Sequence, residues 1–126
     1  MILFLDTHVA AFVHAGDAQL LSPAATHMLN AADDIRISPM VVLELAYLWE
    51  RGKIAFPGEQ IVAFLTSHYG MNADVAGMGA AVLNATAYAW TRDPFDRIIT
   101  SHAAHYGAFL LTRDRRIRDN YPAAVW

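Results

Sequence analysis

"ILFLD" (residues 2–6) is four apolar residues in a row ended by an aspartate. A strand with one wet face alternates apolar and polar residues, so an unbroken apolar run this short predicts a strand buried on both faces of a parallel sheet. The pattern returns near the other end as "AFLLT" (108–112), with Asp114 two residues on, and "DIRI" (34–37) reads as another short strand. Helical segments fill the intervals. "SPAATHMLNAA" (22–32) has Ser22 as N-cap and Pro23 at the first helical position, and "SPMVVLELAYLWERGK" (38–53) repeats that start and stops at Gly52. "PGEQIVAFLTSHYG" (57–70) predicts a third helix and the alanine-rich stretch 71–91 a fourth, over roughly 79–88. A fifth runs from Asp93 and Pro94 to about Tyr106, where Gly107 ends it. After Asp114 a short basic turn or helix leads to a loose end. Strands alternating with helices predict an α/β domain with a mainly parallel sheet and helices on both faces. The helix of 38–53 is apolar almost all round, which predicts cover on more than one side.

At 126 residues the expectation is one domain, 1–126, with one core. Hydrophobic residues make up 56% of the chain against 17% charged, which points to some surface being covered by another chain. It does not point to a membrane. The longest stretch without Asp, Glu, Lys or Arg, Val75–Thr91, has 17 residues and includes Asn84, short of the ~20 apolar residues a span needs. "MILFL" has no basic flank and ends at Asp6, unlike a signal peptide, so a cytoplasmic protein is expected. The absence of cysteine excludes disulfides and thiolate zinc sites. Net charge is −3, but residues 1–91 carry −5 and residues 92–126, with six arginines, carry +2. A polyanion would dock on the C-terminal third.

Four acidic residues stand out by position. Asp6 and Asp114 follow predicted strands, where open parallel sheets bind ligands. Asp96 lies in the first turn of its helix and can point into the same crevice. Taken singly, each has a plainer account: Asp6, Asp93 and Asp114 sit where N-caps belong, and Asp96 favours the helix dipole. Glu44 has no such account. It lies inside an apolar helix, where a charge must be paired or liganded, and Arg51 and Lys53 are too far along for an i, i+4 pair. If the four converge, two carboxylates about 5 Å apart repel by roughly 3 kcal/mol at an effective dielectric of 20. A divalent cation removes that conflict, and all-oxygen ligands suit Mg²⁺ or Mn²⁺, ions that serve phosphodiester hydrolysis.

Together, "LDTHV" (5–9), "SPMVVLELAYLWERGKI" (38–54), "RDPFDRIITSHAAHYG" (92–107) and "LLTRDRRI" (110–117) resemble the PIN-domain ribonucleases, specifically the VapC toxins of bacterial toxin–antitoxin pairs. Each motif alone is weak; the ordered set, spanning nearly the whole chain, is specific. The resemblance implies a three-layer α/β/α fold and a Mg²⁺- or Mn²⁺-dependent endoribonuclease leaving a 5′ phosphate and a 3′ hydroxyl. It makes Asp6, Glu44, Asp96 and Asp114 the catalytic and metal-binding quartet, with Asp93 an additional acidic residue. It puts the Thr112 hydroxyl beside the metal, with Thr7 a weaker neighbour. It also implies a homodimer and a cognate antitoxin protein that covers the acidic groove. Arg92, Arg97, Arg113, Arg115 and Arg116, adjacent to these positions in sequence, are candidates for holding RNA phosphates.

His102 and His105 are expected at a helix surface, His8 borders the site without a catalytic role, and Trp90 and Trp126 read first as packing residues. Two neighbouring readings keep the fold: a PIN nuclease of RNA processing outside any toxin–antitoxin pair, and a silent module that binds RNA or protein without cutting. A phosphate-accepting receiver domain fits poorly, because the only lysine is Lys53.

Overall fold

The computed structural model describes residues 1–126. Its centre is β1 (Ile2–Leu5), whose Leu3, Phe4 and Leu5 are all buried although successive side chains point to opposite faces. Both faces of the sheet are therefore covered. Four further strands join it: β2 (Asp34–Ile37), β3 (Asn72–Ala73), β4 (Phe109–Leu111) and β5 (Ala124–Val125), in the order β3-β2-β1-β4-β5 with every pair parallel. The chain steps from β1 outward through β2 to β3, then crosses back to place β4 on the other side of β1 and β5 beyond it. The reversal falls between β1 and β4, where Leu3 pairs with Phe109 and Leu5 with Leu111. At such a switch point the crossovers leave in opposite directions and open a crevice beyond the strands' carboxyl ends.

The crossovers carry seven helices: α1 (Thr7–Ala15), α2 (Pro23–Ala31), α3 (Pro39–Glu50), α4 (Gly58–Tyr69), α5 (Met78–Asn84), α6 (Pro94–His105) and α7 (Arg115–Asn120). Ser22 and Ser38 cap α2 and α3 through their hydroxyls, each with proline next in line, as their sequences predict. Gly70 ends α4 with a left-handed φ of 63°, a conformation that favours glycine. The largest fully buried side chains, among them Phe4, Ile37, Leu45, Leu65, Ile99, Leu110 and Ile117, come from the sheet and the inner faces of α3, α4, α6 and α7.

Three features add to or correct those expectations. The segment 7–15, unassigned from sequence, is α1, which Asp6 starts. The C-terminal end is not loose, because Ala124 and Val125 pair with Leu110 and Leu111 as the edge strand β5. Helix α3 is covered on more than one side, by α1, α4 and α6, but not all round. Val41 and Leu45 are buried, but Val42, Leu43, Tyr47 and Trp49 are 38–46% exposed, so a wide apolar face looks outward.

Helix α4 opens on Gly58 because α3 passes so close. A Cβ at Gly58 would stand 2.8 Å from the Leu45 Cβ and 3.4 Å from the Leu45 carbonyl carbon. Gly58→Ala is therefore expected to destabilise the fold by about 1–3 kcal/mol through overpacking, read as a lower urea midpoint with an unchanged m-value.

Candidate functional site

The crevice at the β1/β4 switch point is a cavity of about 350 Å³ lined by Asp6, His8, Phe12, Glu44, Asp93, Asp96, Arg113 and Asp114. Five carboxylates from four separate segments meet there. Asp6 ends β1, Glu44 projects from α3, Asp93 and Asp96 begin α6, and Asp114 follows β4. The chain's four ion pairs all lie elsewhere, so none of these carboxylates has a basic partner within 4.0 Å.

Capping and convergence are both true. The Asp6 Oδ1 accepts from the Thr7 amide at 2.8 Å and starts α1. Asp93 Oδ1 accepts from the Phe95 amide at 2.8 Å and the Asp96 amide at 3.3 Å, and Asp114 Oδ1 from Ile117 at 3.0 Å. Helix N-termini carry partial positive charge, so starting α1 and α6 here makes a carboxylate cluster tolerable. Asp96 caps nothing, and its carboxylate makes no hydrogen bond within the chain.

Two buried threonines hold the rest. Thr112 Oγ1 donates to Asp6 Oδ2 at 2.6 Å and accepts from the Asp114 amide at 3.1 Å, tying the ends of β1 and β4 together. Thr7 Oγ1 donates to Glu44 Oε1, the partner that a half-buried charge in an apolar helix required.

The electrostatics follow. Burial raises the Asp6 carboxyl above its ordinary range, against the hydrogen bonds from Thr112 and Thr7. Burial likewise raises Glu44, opposed by Thr7 and helped by Asp6. Asp96 is pushed up to about 7 by burial and by Asp93, Asp6, Asp114 and Glu44 around it. A carboxyl held half-protonated near neutrality by burial and by anionic neighbours is one that a cation would ionise. The donor set is all oxygen and suits a hard divalent ion such as Mg²⁺ or Mn²⁺. No three of the His, Asp or Glu side chains stand close enough together in this structure to hold one.

Of the five candidate arginines only Arg113 lines the cavity. Arg97 is turned the other way. Its Nε donates to the Thr91 carbonyl at 2.7 Å and it borders a separate recess against Val82, Ala85 and Thr86. Adjacent residues on a helix do not share a face, so proximity to Asp96 in sequence misleads. Arg92, Arg115 and Arg116 are exposed and outside the cavity wall. His8 does border the cavity, and Trp90 and Trp126 pack against the core. His102 overturns its surface expectation, being fully buried with Nε2 2.7 Å from Asp74 Oδ2. Asp74 lies 28 residues away, and no local pattern announces that pairing.

Comparison with known proteins adds the family. The PIN-domain model matches residues 3–121. The chain is 33% identical over 132 residues to ribonuclease VapC22 of Mycobacterium tuberculosis (strain ATCC 25618 / H37Rv), covering 98% of both. Its fold is similar to a chain of VapBC2 from Rickettsia felis bound to a promoter DNA fragment (TM-score 0.65, 17% identity, 99% of this chain and 96% of that one). It is also similar to a chain of a toxin–antitoxin complex from Klebsiella pneumoniae (TM-score 0.60, 19% identity, 98% and 96%).

Proposed function

Because this chain belongs to the PIN-domain family, with a VapC ribonuclease as a full-length relative, we propose that it is a VapC-type toxin, a Mg²⁺- or Mn²⁺-dependent endoribonuclease. The observation that carries this reading is the convergence of five carboxylates, unpaired with any base, on one cavity at the β1/β4 switch point. Such a set repels itself until a cation neutralises it and is the ligand chemistry of phosphodiester-hydrolysing metal sites.

Asp6, Glu44, Asp96 and Asp114 would hold the ion, with Asp93 at the rim. When bound, it supplies an activated water and neutralises charge on the phosphate, giving 5′-phosphate and 3′-hydroxyl ends. The chain's own residues prepare the site. Thr112 fixes Asp6 relative to Asp114, and Thr7 fixes Glu44. Asp96 carries the site's exchangeable proton near neutral pH and must release it to act as a ligand. Arg113, the one guanidinium in the cavity wall, draws the RNA backbone toward a site that would otherwise repel it.

The partners in this reading are RNA, a cognate antitoxin and a second copy of the chain. The outward apolar face of α3 supports cover by another protein, and one fold neighbour is in a toxin–antitoxin complex. No helix is long and apolar enough to cross a membrane.

The deciding experiment is incubation of total RNA with purified protein in Mg²⁺, in Mn²⁺ and in chelator, followed by mapping of the ends. Discrete cuts that need the cation and leave 5′ phosphates are expected. RNA left intact by folded, antitoxin-free protein in both ions would replace the nuclease with a silent module.

A further inference from the structure

The wall of the acidic cavity has one apolar member, Phe12 on α1, and the rest of the fold does not explain it. Its ring is half-buried. Phe64, Phe95 and Trp126 pack against the core, whereas Phe12 does not. His8, one turn earlier on α1, has its ring 6.3 Å away at 50°, and Trp126 lies 6.4 Å away at 57°. Both contacts are tilted, so no ring lies face to face on Phe12. On its other side is a second, more apolar cavity of about 200 Å³ bounded by α1, α2 and Tyr69, to which Phe12 also contributes. The Arg113 guanidinium stands 6.0 Å from the Phe12 ring centroid, at the outer limit of a cation–π contact.

The cavity therefore has two unlike walls, one anionic and built from five carboxylates, the other made of Phe12, His8 and Arg113. A nucleotide has the same two halves. Its phosphate needs a cation or an arginine, and its base offers a flat π-face to an aromatic ring. We propose that Phe12, edged by His8 and Arg113, is a stacking platform for one unpaired base of the RNA, next to the phosphate that is cut. The proposal rests on the ribonuclease reading and adds a position to it: the base must be unstacked from its neighbours, so the substrate is a single-stranded or looped segment. Because every base has a π-face, the platform fixes register more than base identity.

A double-mutant cycle tests this. The probe is a fluorescein-labelled single-stranded oligoribonucleotide of about ten nucleotides centred on a mapped cut. Its affinity is measured with the Asp96→Asn protein, so that it is not consumed, and again with an abasic nucleotide at each position flanking the cut. With Phe12 present, one abasic position is expected to weaken binding by about tenfold, within the range of base–aromatic stacking. With Phe12→Leu added, which keeps an apolar side chain but removes the π-face, the same position should cost nothing further, and Phe12→Trp should restore the sensitivity. Thermal melting confirms that each variant is folded. Losses that simply add would overturn the platform while leaving the ribonuclease standing. Additive losses together with weakened antitoxin binding by Phe12→Leu would assign the ring to a protein partner instead. If the wild-type chain cuts no RNA, the ribonuclease reading fails and the subsite with it.

Discussion

Asp96→Asn is expected to abolish RNA cleavage and, at the same time, to raise the melting temperature of the cation-free protein above pH 7. The two effects share one cause. Asp96 is half-buried, forms no cap and faces four other carboxylates, which together push its pKa up to about 7 from an ordinary 3.8. The folded protein thus binds a proton that the unfolded chain has already lost. Stability from that group is fully present below the unfolded value and is lost as pH rises through about 7. At pH 8 the ionised carboxylate strains the fold, by about 1–2 kcal/mol once discounted for its exposure, and asparagine removes the strain. The melting point should rise by a few degrees at pH 8 and by somewhat less at pH 6, where the folded carboxyl is still mostly neutral but the unfolded one is already ionised. Mn²⁺ should stabilise the wild-type protein at pH 8, less at pH 6, and Asp96→Asn hardly at all. Cleavage should fall by more than about 100-fold, since changes one shell farther from a metal already cost 10–100-fold. Melting curves at both pH values with and without Mn²⁺, alongside the RNA assay, check every sign. A variant that cuts normally would remove Asp96 from the site.

How this site is encoded explains what could be read ahead of the structure. Strands β1 and β4 were legible because burial on both faces leaves an unbroken apolar run, and α2 and α3 because a serine cap followed by proline is a local signal. Asp6, Asp96 and Asp114 were legible as candidates because a carboxylate just after a parallel strand, or in the first turn of the next helix, is already at the rim where ligands bind. Their meeting was a different matter. It depends on the order β3-β2-β1-β4-β5, and so on which way each crossover turns, which no window of sequence contains. Strands β3 and β5 have two residues each, too few for any period to show. The breadth of the apolar stripe on α3 implied cover but not by which chain, and the outward Val42, Leu43, Tyr47 and Trp49 show that this chain does not supply it. Arg97 and His102 failed for opposite reasons. Arg97 stands next to Asp96 in sequence, but the helix turns it away from the cavity. His102 reads with His105 as a surface pair three residues apart, whereas its actual partner lies 28 residues off.

That partner sets up the largest expected loss of stability. Asp74→Ala should destabilise the protein by about 2–4 kcal/mol, because it takes the acceptor from the buried His102 and Gly77 donors and the ion-pair partner from Arg36. Burial raises the Asp74 carboxyl, but hydrogen bonding from Tyr106, His102 and the Gly77 amide outweighs it and holds the pKa below the ordinary value. Gly77 is glycine for a visible reason, since a Cβ there would lie 2.6 Å from Asp74 Oδ2 and 2.7 Å from the Tyr106 hydroxyl. Arg36 completes the group, with Nη1 3.7 Å from Asp74 Oδ1 and its guanidinium 4.9 Å from the Tyr106 ring centroid. The His102 Nδ1 is buried without a partner. The neutral tautomer with its proton on Nε2 fits this, donating to Asp74 and leaving on Nδ1 only a lone pair. Burial lowers the His102 pKa despite the pull of Asp74. Alanine at 74 strands the Nε2 proton and leaves Arg36 with Asp34 alone, whereas Asp74→Asn keeps an acceptor and should cost about 1–2 kcal/mol. Both pKa values are depressed, so the unfolded chain takes up protons first on acidification. Stability should decline as pH falls below about 6.5 through His102, and again below 3.8 through Asp74. His102→Gln should flatten the first decline. Urea unfolding at pH 7.5 and 5.5 measures all three variants, and a loss under about 1 kcal/mol for Asp74→Ala would mean that His102 finds another acceptor. Because α6 carries His102 less than two turns beyond Asp96, the cluster that anchors the helix to β2 and β3 also holds that carboxylate over the cavity. Asp74→Ala should therefore weaken Mn²⁺ binding under conditions where it is still folded.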